Sequence, residues 1–162
     1  MMRAWIDDFK TTVTEATERL LKIDEAESTR PKTKDKWSAK ETLGHLIDSA
    51  ANNHARFVLA QMRDDLVFPG YEQNKWITTQ RYNDESWPLM IDLWRAYNLH
   101  LAHLMTVTPD DKLKHMCYQH TMHDIAWKRV SEAEPVSLEH LMRDYIEHLK
   151  HHLKQIFNEV ES

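Results

Sequence analysis

Apolar residues recur at intervals of three and four along four stretches of the chain, the spacing that lines one face of an α-helix. In the first stretch the stripe is Trp5, Phe9, Val13, Ala16, Leu20 and Ile23, with charged residues between them. Arg30-Pro31, in lysine-rich surroundings, ends that pattern and reads as a linker. The second helix opens at Ser38 and Glu41, the spacing of a capping box in which each side chain satisfies an orphan backbone N–H, and its pattern runs to about Arg63. A long connection follows, with Pro69-Gly70 as a turn signal inside the aromatic-rich run FPGYEQNKW. The third helix starts near Ser86, tolerates Pro88 in its first turn, and carries Trp87, Ile91, Trp94, Asn98, Leu101 and Met105 before Thr108-Pro109 stops it. The fourth begins at Ser137 and carries Leu138, Met142, Tyr145, Ile146, Leu149, Leu153, Ile156 and Phe157. Between Pro109 and Pro135 the segments KLKHMCYQH and DIAWKRV fit short strands, a hairpin or an ordered loop equally well.

Four long amphipathic helices predict an all-α fold, a four-helix bundle, in one domain over residues 1–162. The second-to-third and third-to-fourth connections are both long, so the pattern does not dictate hairpin topology.

Composition narrows the chemistry. The 162 residues include two glycines, Gly44 and Gly70, where average usage gives about eleven. A dinucleotide fingerprint, a phosphate-cradling loop and a nucleophile elbow each need more closely spaced glycines than that. The single Cys117 excludes an internal disulfide, a CxxC pair and a cysteine-rich zinc site. A reducing compartment, the cytoplasm, is the expectation, and the acidic opening residues give no signal peptide. No apolar run approaches the roughly 18 residues of a membrane span. A net charge of −5 argues against a nucleic-acid partner, because duplex binding relies on phosphate neutralisation by a basic surface.

Eleven histidines are the remaining anomaly. On the fourth helix, at about 100° per residue, His148 and His152 lie some 40° apart at the edge of the apolar arc, one turn from each other. His140 and His151 fall on the polar side. An i, i+4 pair can chelate one ion, although stacked or surface pairs with this spacing are commoner. His100 and His103 fall opposite the third helix's stripe, and His115, His120 and His123 are expected to face water. His45 shares a polar stripe with Glu41, Asp48, Ser49, Asn52 and Arg56. A two-faced helix would put it in solvent; a helix facing a polar cavity would put it inside, and the pattern allows both. Gly44 favours the second slightly, since a mid-helix glycine costs about 1 kcal/mol and often marks close approach of another element. HExxH and Glu-x-x-His are both absent, which leaves a histidine-rich site as the surviving metal reading.

WSAKETLGHLIDSA (Trp37 to Ala50), FPGYEQNKW (Phe68 to Trp76) and DYIEHLKHHLKQIF (Asp144 to Phe157) together resemble the DinB/YfiT-like family of metal-dependent proteins, which is unrelated to the DNA polymerase sharing the DinB name. The resemblance covers essentially the whole chain. It implies a four-helix bundle, frequently a homodimer, with a divalent metal held by one histidine of the second helix and two of an HxxxH on the fourth. Carried over, these are His45, His148 and His152. Zinc or nickel is the expected ion, with iron or manganese as alternatives. Similar proteins include S-transferases that use low-molecular-weight thiols such as bacillithiol or mycothiol, and relatives in ergothioneine synthesis.

The expected function is therefore a metal-dependent enzyme acting on a small-molecule substrate, either a hydrolase or a thiol S-transferase. The alternatives are a non-catalytic metal- or ligand-binding stress-response protein and a plain interaction bundle. Glu41, Asp48 and Asp144 are nominated by position as the general base. Cys117 has no evident partner and reads as an ordinary buried thiol.

Overall fold

In the computed structural model, residues 3–159 are described. Four long helices form the frame: α1 (Ala4–Leu20), α3 (Ala39–Leu59), α5 (Trp87–Val107) and α8 (Leu138–Ile156). Short elements fill the connections: α2 (Glu25–Ser28), α4 (Gln73–Gln80), α6 (Asp110–Lys114), α7 (Met122–Ile125), and the strands β1 (Met116–Cys117) and β2 (Val136–Ser137).

Three of the four long helices start at a side-chain cap, while α1 follows Arg3 without one. Ser38 and Glu41 form a reciprocal capping box on α3. The side chains of Ser86 and Ser137 accept from the backbone N–H groups of Leu89 and His140, opening α5 and α8. The stripes then decide the packing. Ile6, Phe9, Val13, Ala16 and Leu20 of α1 are buried, as are Leu141, Met142, Tyr145, Ile146, Leu149 and Leu153 of α8. Asn98, the polar residue in the α5 stripe, is fully buried; it donates to the Trp94 carbonyl and accepts from the Tyr145 hydroxyl.

Around the bundle, α1 and α3 each pack against both α5 and α8. The first and second long helices are thus diagonal rather than neighbours, as are the third and fourth. A short loop joins adjacent antiparallel helices, so diagonal placement explains the length of the segments after α1 and α5. The first crossover is held by the buried Lys40, which pairs with Glu25 and donates to the Glu85 carbonyl at 2.5 Å. Glu25 in turn accepts from the Trp87 backbone N–H at 3.0 Å, so one network pins α2 to the starts of α3 and α5.

The connections carry more structure than the pattern suggests. The segment after α3 contains α4, whose weak amphipathicity hid it. The segment after α5 resolves into α6, the two-residue antiparallel pair of β1 with β2, and α7. DIAWKRV is not a strand. Leu66 and Thr121 join the two connections: the Leu66 carbonyl accepts from the Thr121 backbone N–H at 3.1 Å, and the Thr121 hydroxyl bridges Phe68. Among the described residues no helix is long and apolar enough to cross a membrane.

Candidate metal centre

His45 sits on α3, about two turns after the cap at Ser38, and is completely buried. The polar stripe of α3 faces inward, so the cavity reading of that helix is the observed one. Gly44 permits this: the Tyr82 ring lies against its backbone, and a Cβ there would come within 2.2 Å of the ring. From α8, His148 and His152 point at His45. The Nε2 atoms of His45 and His148 are 3.1 Å apart, as are those of His148 and His152. One ligand atom from each of the three histidines lies within 4.8 Å of the others, the only such group of metal-ligating side chains found among the described residues.

The chemistry of this cluster is unusual for a protein interior. A neutral imidazole nitrogen is either a donor or an acceptor, so three converging Nε2 atoms cannot all be satisfied by each other. A single cation taking a lone pair from each would satisfy all three. Two nitrogens bound at about 2.0–2.1 Å with angles between 90° and 109° lie about 2.8–3.4 Å apart, which brackets the observed separation. The donor set therefore fits a metal ion.

Two further features prepare the nitrogens. The His152 Nδ1 lies 2.7 Å from Gln155 Oε1, so Nδ1 carries the proton and Nε2 presents its lone pair inward. Burial pushes His45 down to about 3 and His148 to about 2, with neighbouring imidazoles reinforcing the effect. Burial lowers His152 too, against the opposing hydrogen bond to Gln155. All three are neutral at pH 7, the state a ligand requires. Trp37 lies over the cluster, its ring 5.1 Å from His45 and 6.2 Å from His152.

The three nominated carboxylates are placed differently. Glu41 is engaged in the α3 capping box. Asp48 is buried, accepts from Tyr82 and Gln80, and is pushed upward by burial. Asp144 accepts from the backbone N–H groups of Trp127 and Lys128 and shares a cavity wall with His148. None belongs to the histidine cluster.

Several other histidines differ from expectation. His151 is half-buried, not solvated: its ring packs on Trp127 at 4.4 Å, and its Nε2 lies 3.1 Å from Gln155. The exposed face of α8 ends there because α7 and the following turn cover it, which helical angle alone does not reveal. His120 is buried also, bonded to the Glu134 carbonyl and the Met122 backbone N–H. It closes the loop rather than facing water. His100 and His103 are exposed as expected, with His100 edge-on to His54.

Two cavities reach the cluster. One, of about 330 Å³, is bounded by α3, α8 and the two joined connections, and His148 forms part of its wall. The other, of about 1030 Å³, is bounded by the segment after α2 and the end of α8, and His152 forms part of its wall. Arg56 and Tyr71 line the smaller cavity. Arg56 is visible in the α3 polar stripe, but nothing in the pattern marks it as a site residue.

A bundle of four long helices with histidines of the second and fourth converging inside defines a class, and the chain belongs to the DinB superfamily, whose model matches residues 8–156. A protein of Halalkalibacterium halodurans named as a candidate metal-dependent hydrolase is 25% identical over 99 residues, 61% of this chain and 56% of its own length. A Bacillus cereus protein of the same description is 24% identical over 100 residues, 62% of this chain and 56% of its own. The matched region thus spans little more than half the length of these relatives. Among solved structures, YfiT from Bacillus subtilis, described as a probable metal-dependent hydrolase with an unusual four-helix bundle topology, superposes with a TM-score of 0.74. That match covers 98% of this chain and 87% of YfiT at 17% identity, and it establishes the shared fold.

Proposed function

We propose that the chain is a metal-dependent enzyme in which His45, His148 and His152 hold one divalent ion, zinc or nickel before iron or manganese, and a small molecule is hydrolysed beside His148. The observation that carries this is the convergence of three neutral Nε2 atoms that cannot satisfy one another. The names of the relatives agree with it. When bound, such an ion supplies Lewis acidity and activates a nucleophile near neutral pH. Gln155 holds His152 in the tautomer that presents Nε2. Trp37 and Trp127 shield the imidazoles from bulk water. Asp144, fixed by two amide donors on the wall shared with His148, is the nominee to accept the nucleophile's proton.

Thiol S-transfer is the second reading, and the two cavities favour it: a transferase needs access for two reactants, and His148 and His152 face different cavities. We further propose a homodimer; Leu89 and Leu93 are exposed one turn apart on α5, and large aromatics such as the exposed Trp76 suit interfaces. Metal analysis of tag-free protein tests the site, with one equivalent per chain expected. Cobalt-substituted protein then separates the reactions. A spectrum altered by 2-mercaptoethanol supports an open position and the thiol reading. A closed tetrahedral spectrum indifferent to added thiol or substrate would support the structural, non-catalytic alternative and refute the enzyme.

A further inference from the structure

Arg56 is 7% exposed and lines the smaller cavity. Burying a guanidinium is costly unless it is paired, and buried arginines normally meet a carboxylate. This one does not. Its hydrogen bonds go to two neutral acceptors, the Pro69 carbonyl at 2.9 Å and Asn53 Oδ1 at a long 3.4 Å, and it forms no ion pair among the described residues. Of its five N–H groups, three have no protein acceptor there. Two acids share the cavity wall; Asp124 is exposed and forms no ion pair with Arg56, and Asp144 is turned to the backbone N–H groups of Trp127 and Lys128. Burial works against the charge on Arg56, so an anion arriving in the cavity would relieve a cost already present in the fold.

Position adds a constraint on what arrives. Arg56 follows His45 by eleven residues on α3, which sets their Cα atoms about 16 Å apart along the helix axis. His148 stands on the wall of the same cavity. The space therefore presents an imidazole and, well along α3 from His45, a buried guanidinium; Trp127 and Tyr145 contribute apolar surface, and the exposed Arg129 is a second cation on the wall.

We propose that Arg56 is the anion-binding residue of this cavity, and that its ligand is an elongated small molecule bearing a carboxylate or phosphate at the end remote from the histidines. Identifying that ligand as the substrate rests on the metal-enzyme reading above; the anion subsite does not. The planar fork of the guanidinium suits either oxyanion.

The test is titration calorimetry with hexanoate, its neutral analogue hexanamide, and hexyl phosphate, on zinc-loaded and on chelator-treated protein. Wild type should bind at least one of the two anions about tenfold or more tightly than hexanamide, in both preparations; the tighter one identifies the oxyanion. Arg56→Met should abolish the preference while leaving hexanamide affinity unchanged, with circular dichroism confirming the fold. Arg56→Lys keeps the charge and the stem but loses the fork, so it should reduce the preference without removing it. No preference in wild type, a preference unchanged in either variant, or a preference seen only with zinc would overturn the proposal; the last would put the anion on the metal. If the protein takes up no zinc, the metal-enzyme reading fails, and the chelator-treated titration still decides the role of Arg56.

Discussion

Gly44→Ala sets two opposed effects against each other. Within an isolated helix the change stabilises by about 1 kcal/mol, because alanine loses less backbone entropy. In this protein the new Cβ would lie 2.2 Å from Cδ2 of Tyr82 and 2.5 Å from its Cγ and Cε2. Ordinary carbon contacts begin near 3.5 Å, so the ring must retreat by roughly 1.3 Å. It is 7% exposed, and its hydroxyl donates to Asp48 Oδ1 at 2.6 Å. Overpacking of this kind costs about 1–3 kcal/mol, and stripping a donor from a buried carboxylate costs about 1–3 more. The other carboxylate oxygen, Oδ2, already lacks a partner. After subtracting the propensity gain, the expected net destabilisation is about 1–5 kcal/mol. Urea denaturation followed by circular dichroism measures it. The decisive control is the same substitution in a Tyr82→Ala background, where space is open and Gly44→Ala should be neutral or stabilising by up to about 1 kcal/mol. Equal destabilisation in both backgrounds, or a single variant as stable as wild type, would refute the close-approach argument.

Single alanine variants of His45, His148 and His152 should each lose bound metal and stay folded, whereas His151→Ala should retain it and change only tryptophan emission through Trp127; metal loss from His151→Ala with retention in His152→Ala would overturn the ligand assignment. Metal-free protein should lose stability on acidification. His45 and His148 are held near 3 and 2 in the folded state against 6.5 when free, so their contribution is intact above pH 6.5 and drains as pH falls towards those values. The full loss is about 5 kcal/mol for His45, and a denaturation midpoint flat between pH 6.5 and 4 would contradict it. Asp144→Asn should keep the metal and lower turnover by about tenfold or more, the scale of a general base; unchanged turnover removes Asp144 from the mechanism. Light scattering at micromolar concentration should give twice the monomer mass, and a monomer alone would refute the dimer.

Local interactions made the frame legible in the sequence. Ser38 with Glu41, Ser86 and Ser137 start their helices because a cap is made within three residues, and the stripes choose the buried faces because helical geometry repeats every turn. The pairing of His148 with His152 is equally local. The role of His45 was not, since one polar stripe serves a solvated face or a cavity wall alike; only the family resemblance singled it out before the packing was known. The tertiary structure decided between them by seating Tyr82 on Gly44 and folding two connections, joined at Leu66 and Thr121, across α3 and α8. The same covering layer half-buried His151, closed His120 into a loop, and left Arg56 inside a cavity with no ion pair among the described residues. Each of these depends on contacts between residues tens of positions apart, whose free energy is set by packing and desolvation rather than by neighbours along the chain, and a helical periodicity carries no record of them.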